Sequence, residues 1–545
     1  MIHSMIVSLP VPSPPQPTDN TDIPYAIAAL VVVALVYPLV VFFVDRHGLR
    51  KYPAPSIAAY TPLWQMYHNY VGRKYLAVDR AHRQLGPVVR LGPTHLSFSS
   101  PRAYRAIYGH GTSIVKDAFY DNQAAGNPNM ADVTDRAVHR GKRKNLSFVF
   151  AAKQIVAMEP RVAATVAKLV AALRIKAAGG QVSPRDRFAV GADGVFDVRP
   201  WLNMFAYDAI TSVVWSQTYG FLDRGDDDCS AQDADGTVHT VQAMHTFHTG
   251  AAWSVCLGHL APRWYALVKG VLLSWTAGRR CGDDFSGMAR HLAVQRLART
   301  ADASEAADLF AHLPVTATAA RPAPMPFDEI VAESTVMLNA GNDTTQSALT
   351  NTVYCLARHR DKQATLRAAL RAAHTTGGGV VVDYATLQRV PYLRAVLDEA
   401  LRLHPPLGTG APRRTTAPTT IDGTIDGQPV PAGVTVSAQT WSLHRNAALF
   451  RDATAFCPER WLPGHPEYSD QERQHLQDYV APFSMGPRAC IGRNLAYMEL
   501  SLCVAALVLA FDWRLPDPDY VLRHHERFNC NPVELPVKVT PLEGV

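Results

Sequence analysis

The stretch richest in chemistry is Phe483-Ser-Met-Gly486-Pro-Arg488-Ala-Cys490-Ile-Gly492. A cysteine acts as a metal ligand or nucleophile only as the thiolate, so its surroundings must hold a negative charge. Backbone N–H groups near the sulfur do this, and a helix opening behind it adds the positive end of its dipole. An apolar helical pattern does begin at Arg493. Gly486 and Gly492 offer sharp turns that let the chain lie close against a flat ligand. Phe483 supplies an apolar cover for the sulfur, and Arg488 a planar fork suited to a carboxylate. None of the 8 cysteines falls in a C-x-x-C pair, so neither a zinc site nor a disulfide framework is indicated.

Three further constellations carry charge or proton chemistry. Glu399 and Arg402 are i,i+3 neighbours in VPYLRAVLDEALRLHPP, where Leu393, Val396, Leu397, Ala400 and Leu401 make one helical apolar stripe. Pro391 suits the first turn, and Pro405-Pro406 stops the helix. Arg460 and Trp461 follow in Pro458-Glu-Arg-Trp; one Glu with two Arg can make a fully paired buried set. Ala340-Gly341-Asn-Asp343-Thr344-Thr345 lies inside a helical pattern over residues 327–355. Glycine weakens a helix and threonine can bond back to the previous turn, which predicts a local opening beside a functional site. His139 and Arg143 share one helical face, with Arg140, Lys142 and Lys144 around them as a basic docking face.

F-x-x-G-x-R-x-C-x-G resembles the haem-binding signature of the cytochrome P450 monooxygenases; its five fixed positions match by chance on the order of 10⁻⁴ times per chain. The resemblance spans about residues 56–540, with the motifs in the family's order. It implies that Cys490 is the thiolate ligand of a haem iron, a ligand that favours O–O cleavage. It implies haem contacts from His139, Arg143, Arg413, Phe483, Arg488 and Gly492, with Arg414 a rival to Arg413. Glu399, Arg402 and Arg460 would form a structural triad. Asp343 and Thr344 would be the catalytic acid–alcohol pair, Thr344 meeting dioxygen and Asp343 relaying protons from solvent. The chain departs from the family's common pattern at His139, where many members carry Trp, and at Trp461, where many carry Phe.

The elements that must position these groups read as a mainly α body with smaller β-sheets. Short strand patterns occur at residues 88–93 and 96–98, and again at 419–423 and 430–436. Residues 179–193 and 223–236 read as surface loops, Gly377-Gly378-Gly379 as another, and residues 493–511 as an amphipathic helix. Residues 23–44 are uncharged; 25–44 alone are 20 residues, roughly 30 Å as a helix, which matches a bilayer core. Arg46, Arg50 and Lys51 follow it and no Lys or Arg precedes it, so the positive-inside rule puts the following body in the cytosol. The expected organisation is a lumenal tail at 1–22, a transmembrane anchor at 23–44, a proline-containing linker at 45–55 and a cytochrome P450 catalytic domain at 56–545. The resemblance places such a chain in the endoplasmic reticulum membrane.

With a net charge of +6 and scattered basic residues, no nucleic-acid partner is indicated. The implied partners are NADPH–cytochrome P450 reductase, membrane lipid, dioxygen and an apolar small molecule. The implied reaction is insertion of one oxygen atom, as hydroxylation or epoxidation. The Cys490 loop looks most like fungal members that decorate terpenoid, polyketide or aromatic secondary metabolites. Phe119, Tyr120, Met337, Ala340, Leu407 and Thr409 are candidates for the substrate pocket, roofed by Phe247 and Trp253. Two alternatives remain: a haem-thiolate isomerase or dehydratase, whose members tend to lack the acid–alcohol pair, and a haem carrier or sensor, which needs no proton relay.

Overall fold

The computed structural model describes residues 25, 32, 36–123, 127–273, 275–299, 308–314, 324–374 and 381–543. Strands β1 (Val88–Gly92) and β2 (His95–Phe98) stand where the sequence has short strand patterns, and they pair as an antiparallel hairpin. Strands β3 (Ile114–Lys116), β7 (Arg413–Thr415) and β8 (Thr435–Ala438) extend it into a 5-stranded sheet ordered β1-β2-β8-β7-β3. The β3–β7 register sets Lys116 opposite Arg413. Strand alternation then buries Arg413 and exposes Arg414, so of the two it is Arg413 that lines the interior cavity.

A 3-stranded sheet, ordered β4-β12-β9, joins β4 (Val195–Asp197), β9 (Phe511–Arg514) and β12 (Pro536–Pro541). Two hairpins stand apart: β5 (Asp228–Gln232) with β6 (Val238–Gln242), and β10 (His524–Arg527) with β11 (Asn529–Pro532). The first overturns part of the loop expected at 223–236. Cys229 and Ala231 alternate inward there, so β5 is a half-buried strand. Residues 179–193 do lack regular structure. The strand expected at 419–423 is reduced to a single bridge from Thr419 to Val430.

The helices around the site are α1 (Arg136–Ser147), α2 (Glu159–Ala177), α3 (Arg199–Trp215), α4 (Ala243–Leu257), α5 (Ala277–Ala298), α6 (Phe327–Arg358), α7 (Pro391–Leu403) and α8 (Arg493–Ala510). Helix α6 begins with Asp328 and Glu329 in its first turn, where carboxylates suit the dipole. It runs 32 residues without a break, so the expected local opening is absent. Helix α8 is not amphipathic. It packs against α2, α6 and α7, and its residues from Leu495 onward are almost all buried. A helix in the middle of a core has no solvent face to make polar.

Helix α8 is also the one helix among the described residues that is long and apolar enough to cross a membrane, with mean hydropathy 1.4. Its burial marks it as core. Of the expected anchor, residues 25, 32 and 36–44 are described and helical, with Tyr37, Phe43 and Val44 exposed. The rest of the anchor, the tail at 1–22 and Gly377–Gly379 lie outside the described residues.

Candidate active site

Cys490 sits one turn before α8 and opens onto an interior cavity of about 680 Å³. Its N–H donates to the Phe483 carbonyl at 2.9 Å, closing the loop into a tight hairpin-like turn. Gly486 has φ +71°, and a Cβ there would strike the backbone of Tyr108 and Gly109, so glycine is required both by conformation and by space. Gly492 has φ −80° and caps α8. Its backbone is one any residue can adopt; glycine there leaves the space beside the Cys490 sulfur open, its nearest neighbour being that Sγ at 3.9 Å from where a Cβ would stand. Burial pushes the Cys490 thiol pKa up. The N–H groups of Gly492 and Arg493, with the charges of Arg143 and Arg493, pull it back. Phe483 lines the cavity and packs on Tyr497 at 5.2 Å.

One end of the cavity is a wall of cations: Lys116, Arg143, Arg413 and Arg488, with His139 among them. Burial and these charges push the His139 ring down to about 4, so it is neutral at pH 7. Arg143 donates to the Ala489 carbonyl at 2.8 Å, tying α1 to the cysteine loop. Arg413 donates to the Pro412 carbonyl at 3.1 Å. Both terminal nitrogens of Arg488 are buried without any partner, and burial beside Arg413 lowers its pKa to about 10. A buried guanidinium left unpaired is costly. The wall therefore calls for anionic groups from a ligand, and two carboxylates on a flat body beside a thiolate match haem. Lys116 was not picked out from sequence; its pairing with β7 and its contact with the Tyr120 ring at 3.5 Å reveal it.

The basic docking face changes in one respect. Lys142 turns inward and pairs with Glu329 at 2.6 Å and Glu333 at 2.8 Å, fastening α1 to α6.

Across the cavity, α6 presents Met337, Ala340, Gly341 and Thr344. Gly341 is where α3 crosses: a Cβ would collide with the Ile210 side chain. Its helix-weakening cost is thus incurred for close packing. The Thr344 hydroxyl donates to the Ala340 carbonyl at 2.7 Å, leaving its lone pairs to the cavity. Asp343 does not join it there. Its carboxylate is fully buried behind the cavity wall, accepting from Asn529 at 2.7 Å and Asn531 at 2.6 Å. His248 Nε2 stands 3.7 Å from Asp343 Oδ1 and 3.1 Å from Arg199 Nη2. Burial would raise the Asp343 pKa; the His248 ring, Asn529 and the Arg199 charge bring it below the usual carboxylate value. Burial, with Arg199, holds His248 at about 4 despite Asp343. Asn529 also lines the cavity, so it is the group that connects the acid to the space in front of Thr344. None of these partners shares a motif with Asp343, and only folding brings them together.

Glu399, Arg402 and Arg460 meet with no solvent exposure. Arg402 donates twice to Glu399 at 2.8 Å and Arg460 once at 3.1 Å. The other donors of Arg402 and Arg460 go to carbonyls of His444, Ala453, Ala455, Arg451 and Asp452, which is the full pairing such a set needs. Trp461 is more than a space-filling aromatic: its indole N–H donates to Glu399 at 2.9 Å.

Phe119, Tyr120, Met337, Ala340, Leu407 and Phe247 all line the cavity. Thr409 does not, because its hydroxyl turns away to Glu526 at 2.6 Å. Trp253 is also absent from the lining and packs against Gly278.

The sequence profile of the family described as Cytochrome P450 matches residues 58–539. Tryprostatin B 6-hydroxylase of Aspergillus fumigatus is 28% identical, over 94% of this chain and 84% of its own. A cytochrome P450 monooxygenase of Penicillium oxalicum is 30% identical, over 90% and 88%. Benzoate 4-monooxygenase of Aspergillus niger is 30% identical, over 90% and 93%.

Proposed function

For a chain that belongs to the cytochrome P450 family, and so is a haem-thiolate oxidoreductase, we propose that Cys490 is the iron ligand and that the cavity holds both the haem and the substrate. The observation that carries this reading is the coincidence, in one cavity, of a cavity-facing cysteine, an unpaired buried Arg488 and a threonine on the opposite helix. Arg488, Arg413, His139, Arg143 and Lys116 would hold the two propionates. When bound, the haem supplies the redox-active iron at which dioxygen is activated.

The chain's own residues then manage protons and water. Thr344 Oγ1 can accept at the cavity face as it stands, and would donate there once it releases the Ala340 carbonyl. Behind it, the Asp343 carboxylate would take up protons from solvent and hand them forward by turning off its Asn529 bond toward a water in the cavity. The aromatic walls exclude bulk water from the apolar part of the cavity.

The reaction proposed is hydroxylation or epoxidation of a largely apolar small molecule, in fungal secondary metabolism, with terpenoid, polyketide or aromatic skeletons as the classes to test. Similarity to a tryprostatin hydroxylase and a benzoate monooxygenase supports that range. Electrons would come from NADPH–cytochrome P450 reductase. Residues 23–44 would anchor the chain in the endoplasmic reticulum membrane with the body cytosolic. Exposed Trp264, Leu267, Val271 and Trp275 support contact with lipid.

The test is the reduced, carbon monoxide-bound spectrum of the purified chain. The long-wavelength Soret band of thiolate ligation is expected, and Cys490→Ala should not incorporate haem. Intact haem with an unchanged band in that variant would end the assignment.

A further inference from the structure

The β10–β11 hairpin turns on Phe528, whose φ of +78° is a strained left-handed conformation for an aromatic residue. That turn places Arg527, Phe528 and Asn529 side by side in the cavity lining. Two of the three have partners. Asn529 donates to Asp343, and Phe528 stacks on Phe119 with ring centroids 6.3 Å apart and planes at 15°. Arg527 has neither an ion pair nor a side-chain hydrogen bond among the described residues. The carboxylate in its neighbourhood is Asp343, and both oxygens of Asp343 are already taken by Asn529 and Asn531. Burial, with Arg199 nearby, lowers the Arg527 pKa to about 10, which leaves the guanidinium charged at pH 7.

The propionate wall does not explain this cation. Arg488 has Arg413, Arg143 and Arg136 for charged neighbours, with the Tyr120 phenol beside them. Arg527 has Arg199 and Asp343. The two cationic groups belong to separate neighbourhoods of one cavity. Beside Arg527 in the hairpin stands Phe528, stacked on Phe119, and the same cavity is also lined by Phe247 and Phe285. A partly desolvated guanidinium in such surroundings favours a carboxylate, which its fork binds with two parallel hydrogen bonds.

We propose that Arg527 is a substrate-recognition residue, and that the substrate is an apolar, aromatic-compatible molecule bearing one carboxylate. This rests on the reading of the cavity as the haem monooxygenase site. Pinning the carboxylate at Arg527 leaves the far end of the molecule as the part free to reach the oxidising centre.

The experiment uses the haem-loaded full-length chain and aromatic acids graded in size: benzoate, cinnamate, 2-naphthoate and biphenyl-4-carboxylate, each against its methyl ester. Dissociation constants are read from the Soret shift on titration and from equilibrium dialysis. At least one acid should bind tenfold or more tightly than its ester. Arg527→Met should weaken that acid at least tenfold while changing the ester less than threefold, and Arg527→Lys should keep part of the preference. Equal binding of acids and esters, no binding by any acid, or an unchanged ratio in Arg527→Met would overturn the proposal. The carbon monoxide spectrum, measured on each variant, keeps this outcome apart from failure of the haem-thiolate reading.

Discussion

Replacing Trp461 by Phe isolates one bond in the buried charge set. The Glu399 carboxylate accepts from Arg402 Nε and Nη2, Arg460 Nε, the Cys457 N–H and the Trp461 indole. Phenylalanine removes the last of these and leaves a void where the larger ring lay. A hydrogen bond to a charged group contributes about 1.5–3 kcal/mol, and a methyl-sized void costs about 1 kcal/mol. The expected loss is therefore about 2.5–4 kcal/mol. It stops there because Arg402 Nε still holds Oε2 at 2.8 Å, so the carboxylate is not stripped. Glu399→Gln is the harsher comparison: two buried guanidiniums then face a neutral amide, at a cost of about 3–5 kcal/mol. Urea unfolding of the full-length chain, followed by far-ultraviolet circular dichroism, measures both. Tryptophan fluorescence is unsuitable because the variant deletes a fluorophore. A Trp461→Phe loss below about 0.5 kcal/mol would refute the claim that this indole is a working donor.

Gly341→Ala should push Ile210 off its position at the α3–α6 crossing, losing about 1–3 kcal/mol by overpacking, and Ile210→Val in the same chain should restore part of it in urea unfolding. Thr344→Ala should leave haem binding intact but raise NADPH consumed per product formed, by roughly tenfold if the hydroxyl works as a proton-handling group; unchanged coupling would remove Thr344 from that role. Glu499, buried with a bond from Thr345, has its pKa pushed up to about 8 by burial. Its folded form keeps a proton that the unfolded chain releases near the ordinary carboxylate pKa, so stability is full below that value and falls as pH rises toward 8. Glu499→Gln should therefore gain stability over the parent between pH 6 and pH 8, by about 1.4 kcal/mol per pH unit, measured by urea midpoints at both.

What the sequence made legible was whatever is local. The Cys490 loop, the Glu399–Arg402 turn and α6 each need only a few consecutive residues to declare themselves, and each stands where expected. Arg413 and Arg414 were inseparable until strand pairing with β3 turned one inward. Asp343 declared its helix but not its partners, because its place behind the cavity wall is fixed by Asn529 and Asn531 in a hairpin nearly two hundred residues later. Lys142 looked like surface because an isolated helix gives no sign of Glu329 and Glu333 on another. Helix α8 looked two-faced because periodicity cannot tell a helix wrapped by core from one lying on it.

His248 has one nitrogen for two neighbours that want opposite things. Arg199 can only give a hydrogen to Nε2, and the Asp343 carboxylate can only take one. Nε2 lies nearer Arg199, at 3.1 Å against 3.7 Å, and while it accepts that hydrogen a neutral ring must carry its own on Nδ1. Each partner therefore vetoes the other. No hydrogen can cross from this ring to Asp343 while the Arg199 bond stands, and once that bond is given up the arginine is released as well. The nitrogen is a turnstile rather than a wire: passage is one at a time, and every passage requires a side chain to step aside.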